Sequence, residues 1–238
     1  MEYHRPFTKP MRQGRLVRRY KRFLADVEMD GEITTAHCAN SGAMLGCNLP
    51  GSPVLLSWHD NPKRKLPYSL EAVNVDGEWV GVNTSVPNGF VGELLRARLL
   101  PAFEDYRSVR PEVKVGTSRL DFLLEGPDLP PAYIEVKNVS LVDGGVALFP
   151  DAVTERGARH MRELTELVGT GARAAVVFFI QRTDCTRLAP ATHIDPAYAE
   201  ALAQAVQAGV EVYPLSIRVD GAGLTYLGIL PFEQALAR

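Results

Sequence analysis

SRLDFLLEGPDLPPAYIEVKNVSL, residues 118–141, reads as two strands joined by a turn. It sets two carboxylates and a lysine, Asp121, Glu135 and Lys137, into an otherwise apolar hairpin. Side chains two apart along a strand share a face. Leu120, Phe122 and Leu124 are therefore expected on one face of the first arm, with Arg119, Asp121 and Leu123 on the other. In the second arm Ile134 and Val136 point one way and Tyr133, Glu135 and Lys137 the opposite way, and GPDLPP supplies the turn. Pairing of the two arms brings Asp121 beside Glu135. Adjacent carboxylates repel, raise one another's pKa and need a proton or a cation between them. A hard divalent ion, Mg²⁺ or Mn²⁺, suits such an oxygen set. The simpler alternative is a solvated Glu-x-Lys pair on an exposed strand face. The acid on the preceding arm and the apolar opposite faces weigh against it.

The rest of the chain sets the frame. Its 238 residues, 46% hydrophobic and 23% charged, suit one large or two small globular domains. The longest apolar run, AAVVFFI at 174–180, has the length of a strand and not of a membrane span. The basic N-terminus is not followed by an apolar segment, so no secretory signal is expected. Three cysteines, Cys38, Cys47 and Cys185, show no CxxC spacing; they fit a reducing, cytoplasmic setting better than a disulfide framework or a zinc site. Net charge is only −2, but it is unevenly spread: +5 over residues 1–65 and −7 over residues 66–238. Affinity for a polyanion follows the local field, so the N-terminal part is where such a partner is expected.

Up to about residue 83 the pattern is one of short strands and turns: RLVRRYKRFLADVEM, EITTAHC, PVLLSW, SLEAVNV and EWVGVN. Five strands carrying basic and aromatic residues predict an OB-like barrel over residues 1–85. A boundary is expected at TSVPNG, near residues 83–88, with a second domain over 86–238. There, residues 86–103 read as a helix, strands cover about 109–115, 118–125 and 132–141, and a helix follows with Met161, Leu164 and Val168 as its stripe. ARAAVVFFIQR reads as a strand covered on both faces. DPAYAEALAQAVQAG is a helix with Asp195 as N-cap and Pro196 at its first position, and VEVYPLSIRV is a last strand. This order predicts an α/β domain of three layers, α/β/α, after an all-β N-terminal part. Residues 221–238 carry no assignment.

An acid on a helix, then an Asp, then Glu-x-Lys, then a helix and a strand, resembles the PD-(D/E)xK nuclease superfamily; the matching residues are Glu93, Asp121, Glu135 and Lys137. Longer stretches, RRYKRFLADV, HCANSGAMLGC, NPKRKLPYSLE, SRLDFLL, YIEVKNVSL, FPDAVTERGARHMREL and HIDPAYAEAL, together resemble the sugar fermentation stimulation protein family over residues 13–217. That resemblance implies an OB-like domain joined to a PD-(D/E)xK nuclease-like domain, with non-specific DNA binding. Asp121 and Glu135 would hold the metal, with the carbonyl of Val136 as a third ligand. The ion would activate water and offset charge on the phosphate, and Lys137 would orient the nucleophile. Glu93 either supports a water on the metal or stays an ordinary helix glutamate. His160, beside its helix's apolar stripe, is read first as a packed or capping histidine and second as a phosphate or proton contact.

In the barrel, RRYKRF puts Arg18, Tyr20 and Arg22 on one strand face and Arg19 and Lys21 on the other. One set is expected against phosphates, with Tyr20 for base stacking. Lys63, Arg64 and Lys65 form a second basic cluster in a loop, and the two clusters favour DNA contact over a merely solvated edge strand. RNA is the other nucleic acid that a barrel of this kind accepts. NSGAML offers either a phosphate cradle or a plain tight turn. The function expected is DNA cleavage with Mg²⁺ or Mn²⁺, and the alternative, with the role in sugar utilisation that the resemblance implies, is a non-catalytic DNA-binding regulator of sugar metabolism genes.

Overall fold

The structure, a computed structural model, describes residues 2–116 and 118–234. The first part of the chain forms strands β1 (Tyr3–Pro6), β2 (Met11–Tyr20), β3 (Leu24–Met29), β4 (Glu32–His37), β5 (Pro53–Trp58), β6 (Tyr68–Val75) and β7 (Glu78–Gly81). Strands β2 to β6 make the OB-like barrel. The long β2 serves two neighbours, pairing antiparallel with β5 over Met11–Arg15 and with β3 over Arg15–Tyr20. Gly14 marks the bend: a Cβ there would lie 2.5 Å from Val27 Cγ1, so no larger residue fits where β2 coils over β3. A parallel bridge between His37 of β4 and Ser69 of β6 closes the barrel, and β7 extends the β6 edge. Leu16, Val27, Leu56, Leu70 and Val80 fill its core.

Two expectations are corrected here. RLVRRYKRFLADVEM is not one strand but a hairpin, because Lys21 and Arg22 both take left-handed backbone angles, φ +47° and +61°, and turn the chain after Tyr20. Arg22 therefore does not share a strand face with Arg18 and Tyr20. β1 pairs with a strand from the C-terminal end of the chain, so residues 3–6 lie outside the barrel sheet.

The second part contains α1 (Val86–Arg96), β8 (Ser108–Val115), β9 (Ser118–Glu125), β10 (Ala132–Val139), β11 (Leu141–Asp143), β12 (Val146–Phe149), α2 (Glu155–Gly169), β13 (Arg173–Ile180), β14 (Arg187–Pro190), α3 (Pro196–Gln207), β15 (Glu211–Val219) and β16 (Gly223–Ile229). Seven strands form one mixed sheet in the order β1-β16-β15-β13-β10-β9-β8, with β10, β13 and β15 parallel. β11, β12 and β14 form a small separate sheet. Phe90 and Leu94 of α1 pack on Ile134, Val177 and Phe179 from one side of the large sheet. Met161, Leu164 and Leu202 of α2 and α3 pack on Val176 and Phe178 from the other. Cover on both faces is why Ala174–Ile180 is buried at every position and shows no alternation. No described helix is long and apolar enough to cross a membrane.

Asp195 ties the two helices together. One carboxylate oxygen caps α3 by accepting the Tyr198 N–H at 2.9 Å, and the other accepts the N–H of Thr154, the N-cap of α2, at 2.8 Å. α1 is shorter than expected, since Arg98 at φ +58° stops it before the Pro101 turn. Much of the unassigned tail is β16; residues 235–238 lie outside the described residues. The alternation expected in β9 fails at one point. Phe122 and Leu124 pack on the α1 side, whereas Leu120 packs with α2 and α3. The strand turns over at Asp121, and Glu112, at the same register on β8, has φ +53°.

Candidate active site

The break in β9 builds the site. Regular pairing between β9 and β10 ends at Phe122↔Ile134. Beyond it the Asp121 side chain takes the strand's place, accepting the Val136 N–H at Oδ2 over 2.7 Å. In a strand the N–H and C=O of one residue leave the same edge, so the Val136 carbonyl faces the same gap. Asn88, in the first turn of α1, donates to Asp121 Oδ1 at 2.6 Å. On β10, Glu135 Oε1 accepts from Lys137 Nζ at 2.6 Å and from His160 Nδ1 of α2 at 2.5 Å. Arg156, one helical turn earlier and exposed, donates its Nε–H to His160 Nε2 at 3.3 Å. That leaves Nδ1 as the nitrogen bearing hydrogen toward Glu135. An open cleft of about 320 Å³ gathers Asp121, Glu135, Val136, Lys137, Asn88 and Arg156, with Ser41 from the barrel on its rim.

The two carboxylates are held differently. Burial, and then the charge of Glu135, push the Asp121 carboxyl up to about 6. Burial works the same way on Glu135, but the His160 hydrogen bond and the Lys137 charge outweigh it and hold that carboxyl below its ordinary value. The pair thus keeps one firm anion and one reluctant anion, the usual outcome when like charges share a desolvated site. Glu135 Oε2 is buried and has no hydrogen-bond partner, although its twin oxygen has two. A buried anionic oxygen without a donor is costly. A divalent cation would supply the missing partner, and the residues present fit one: Asp121, Glu135 and the Val136 carbonyl are the groups that would hold it. Among the described residues no three His, Cys, Asp or Glu side chains cluster to hold a metal, so the two carboxylates alone would need the carbonyl and solvent to complete a shell.

Several expected site residues stand elsewhere. Glu93 is not in the cleft: it accepts from Tyr3 Oη at 3.2 Å and Arg5 at 3.4 Å, binding β1 to α1. It lies five positions along from Asn88, about 140° around the helix, so the two leave α1 on different faces. His160 is 1% exposed, and its packed position is also a site position. Its partner Arg156 was legible as an i, i+4 neighbour on the same face of α2. Nothing local marked Asn88.

In the barrel, Arg18 lies over the Tyr20 ring at 4.8 Å and donates to the buried Asp26 at 2.8 Å; Tyr20 Oη also donates to Asp26. One face of the Tyr20 ring is thereby taken by Arg18 and its hydroxyl by Asp26. Arg19 turns inward and donates to the carbonyls of Asn40 and Gly42, each at 2.9 Å. Lys21 and Arg22 stand exposed on the β2–β3 turn, and Lys63, Arg64 and Lys65 lie in the β5–β6 loop, where Arg64 Nη2 reaches Ser69. NSGAML is a tight turn docked on the second sheet's loop. The Gly42 and Met44 N–H groups are taken by Asn40 Oδ1 and Asp151 Oδ2, and a Cβ on Gly42 would lie 2.9 Å from Asp151.

Comparison with known proteins agrees with this two-part layout. The SfsA N-terminal OB domain matches residues 17–82, and the sugar fermentation stimulation protein RE domain matches residues 85–223. The sugar fermentation stimulation protein homolog of Geobacter sulfurreducens is 54% identical over 205 residues, covering 85% of this chain and 88% of that one. The homolog of Picosynechococcus is 47% identical over 229 residues, covering 93% and 90%. The structure of Pyrococcus furiosus SfsA in complex with Ca²⁺ superposes with a TM-score of 0.88 at 29% identity, covering 96% of this chain and 98% of that one. With both domains matched and relatives this similar over most of its length, the chain belongs to the sugar fermentation stimulation protein family.

Proposed function

We propose that this protein is a Mg²⁺- or Mn²⁺-dependent nuclease of the PD-(D/E)xK type that cleaves phosphodiester bonds in DNA. One observation carries the reading: Asp121 and Glu135 converge where the β9–β10 ladder opens, and the buried Glu135 Oε2 lacks any donor. The Ca²⁺ bound by the Pyrococcus relative supports a hard, oxygen-liganded cation in this family. Bound there, the metal would activate water and neutralise charge on the scissile phosphate. Asn88 and the Val136 N–H fix the Asp121 carboxylate, and His160 fixes Glu135 from α2. Lys137, on the same strand face as Glu135, places its ammonium where negative charge grows in the transition state. Arg156, anchored through Nε, keeps its remaining guanidinium donors for a phosphate oxygen. For grip, Lys21, Arg22, Lys63 and Lys65 occupy the two barrel loops with which OB folds hold oligonucleotides, a fold-level analogy.

The test is cleavage of single-stranded, branched, nicked and duplex DNA, with RNA alongside, in Mn²⁺, together with calorimetric Mn²⁺ titration. Lys137→Ala should keep Mn²⁺ binding and lose at least a hundredfold in rate (on the order of 3 kcal/mol). His160→Ala should weaken Mn²⁺ binding by roughly 10- to 100-fold, as loss of an orienting partner does. Replacing Lys21, Arg22, Lys63 and Lys65 by alanine should flatten the salt dependence of DNA binding by about one unit per lost contact. A protein that binds DNA and Mn²⁺ but cuts no member of the panel is a DNA-binding regulator, and the nuclease reading falls.

A further inference from the structure

The hairpin turn Lys21-Arg22-Phe23 has features that barrel packing does not require. Two successive non-glycine residues sit in the left-handed region, each at a cost of roughly 1–2 kcal/mol. Phe23 is 47% exposed and joins none of the hydrophobic clusters of the described residues. Yet its backbone is fixed from several sides. Cys38 N–H donates to the Phe23 carbonyl at 2.8 Å, Phe23 N–H to Lys21 at 2.7 Å, and Arg19 Nε to the Arg22 carbonyl at 3.2 Å. A hydrogen-bonded turn thus holds a half-exposed aromatic ring directly after two exposed cations.

Its surroundings say what the ring meets. On one side, His37 pairs in register with Leu24 and, with Arg64, Lys65 and Leu66, lines a shallow hollow of about 220 Å³. The hollow that holds the second basic cluster thus opens on the strand pair that begins directly after Phe23. On the other side, the arginine that holds the turn, Arg19, also holds the carbonyls of Asn40 and Gly42, and Ser41 between them stands on the rim of the cleft containing Asp121 and Glu135. An apolar protein partner would call for a contiguous apolar patch. An exposed ring next in sequence to two exposed cations, on a turn linked through Arg19 to the loop that rims the cleft, matches a nucleobase flanked by its backbone phosphates.

We infer that Phe23 stacks on an unpaired base of the bound strand, so that the protein selects nucleic acid with single-stranded or distorted character over intact duplex. The inference rests on the nuclease reading and names its substrate class. Stacking needs the free π-face of an unstacked base, which a continuous duplex does not offer, and one face of the Tyr20 ring is already taken by Arg18.

The experiment measures binding in EDTA, without cleavage, of a single-stranded oligonucleotide carrying 2-aminopurine and of an intact duplex, to the parent, Phe23→Ala and Phe23→Trp. Phe23→Ala should bind the single strand about 5- to 150-fold more weakly and duplex nearly as before, with a thermal midpoint little changed because the ring joins none of the hydrophobic clusters. Phe23→Trp should retain binding, and its added tryptophan fluorescence should be quenched by the single strand alone. Equal single-strand affinity in the parent and Phe23→Ala, with no quenching in Phe23→Trp, overturns the stacking role while leaving cleavage untouched. Failure of the parent to bind either nucleic acid removes both this role and the nuclease reading.

Discussion

Asp121→Asn tests whether the cleft is built for a cation. The side chain keeps its shape, its oxygen can still accept the Val136 N–H, and the Asn88 amide can turn over to accept from the new NH2, but the second charge disappears. In the parent, burial and the Glu135 charge raise the Asp121 carboxyl from 3.8 to about 6. The folded protein therefore holds that proton more tightly than the unfolded chain does. Stability from this group is greatest below pH 4, falls as pH rises between about 4 and 6, and is level above. The shift corresponds to about 3 kcal/mol of destabilisation at pH 8. Without metal, Asp121→Asn should recover up to that amount, raising the midpoint of thermal unfolding by roughly 6–12 °C at pH 8. The gain should vanish at pH 4. Melts in EDTA across this range measure it, and adding Mn²⁺ should stabilise the parent more than the variant. A variant no more stable than the parent at pH 8, or a gain equal at both pH values, would refute the assignment of a costly buried charge to Asp121.

Glu93→Gln should leave Mn²⁺ affinity and cleavage within about twofold of the parent and cost under about 1 kcal/mol, since its ion pair with Arg5 is partly exposed. A tenfold fall in calorimetric Mn²⁺ affinity would return this acid to the site. Asp195→Ala should cost about 2–4 kcal/mol in urea unfolding, because the buried carboxylate serves the N-termini of both α2 and α3. A loss below 1 kcal/mol would show that the two helices do not depend on it.

What was legible in the sequence rested on local periodicity. Alternation in YIEVK puts Glu135 and Lys137 on one face whatever surrounds the strand, and the Asp195-Pro196 pair starts α3 through contacts within one turn. The unbroken apolar run of β13 announced a strand covered on both sides, and hence three layers. Alternation failed in β9, where Asp121 replaces a ladder partner and Leu120 crosses to the other core. In RRYKRF, strand propensity gave no sign that Lys21 and Arg22 would adopt left-handed angles, which moved Arg22 off the strand and set Phe23 beside it. Helix phase and strand order were decided by tertiary packing alone. The cleft takes Asn88 and leaves Glu93 to β1 because of how α1 lies on the sheet, and β1 pairs with β16 across more than two hundred residues. Glu135, Lys137, His160 and Arg156 form one chain of contacts only because α2 crosses β10 at that point. A sequence period fixes which side chains share a face, and only packing fixes what that face meets.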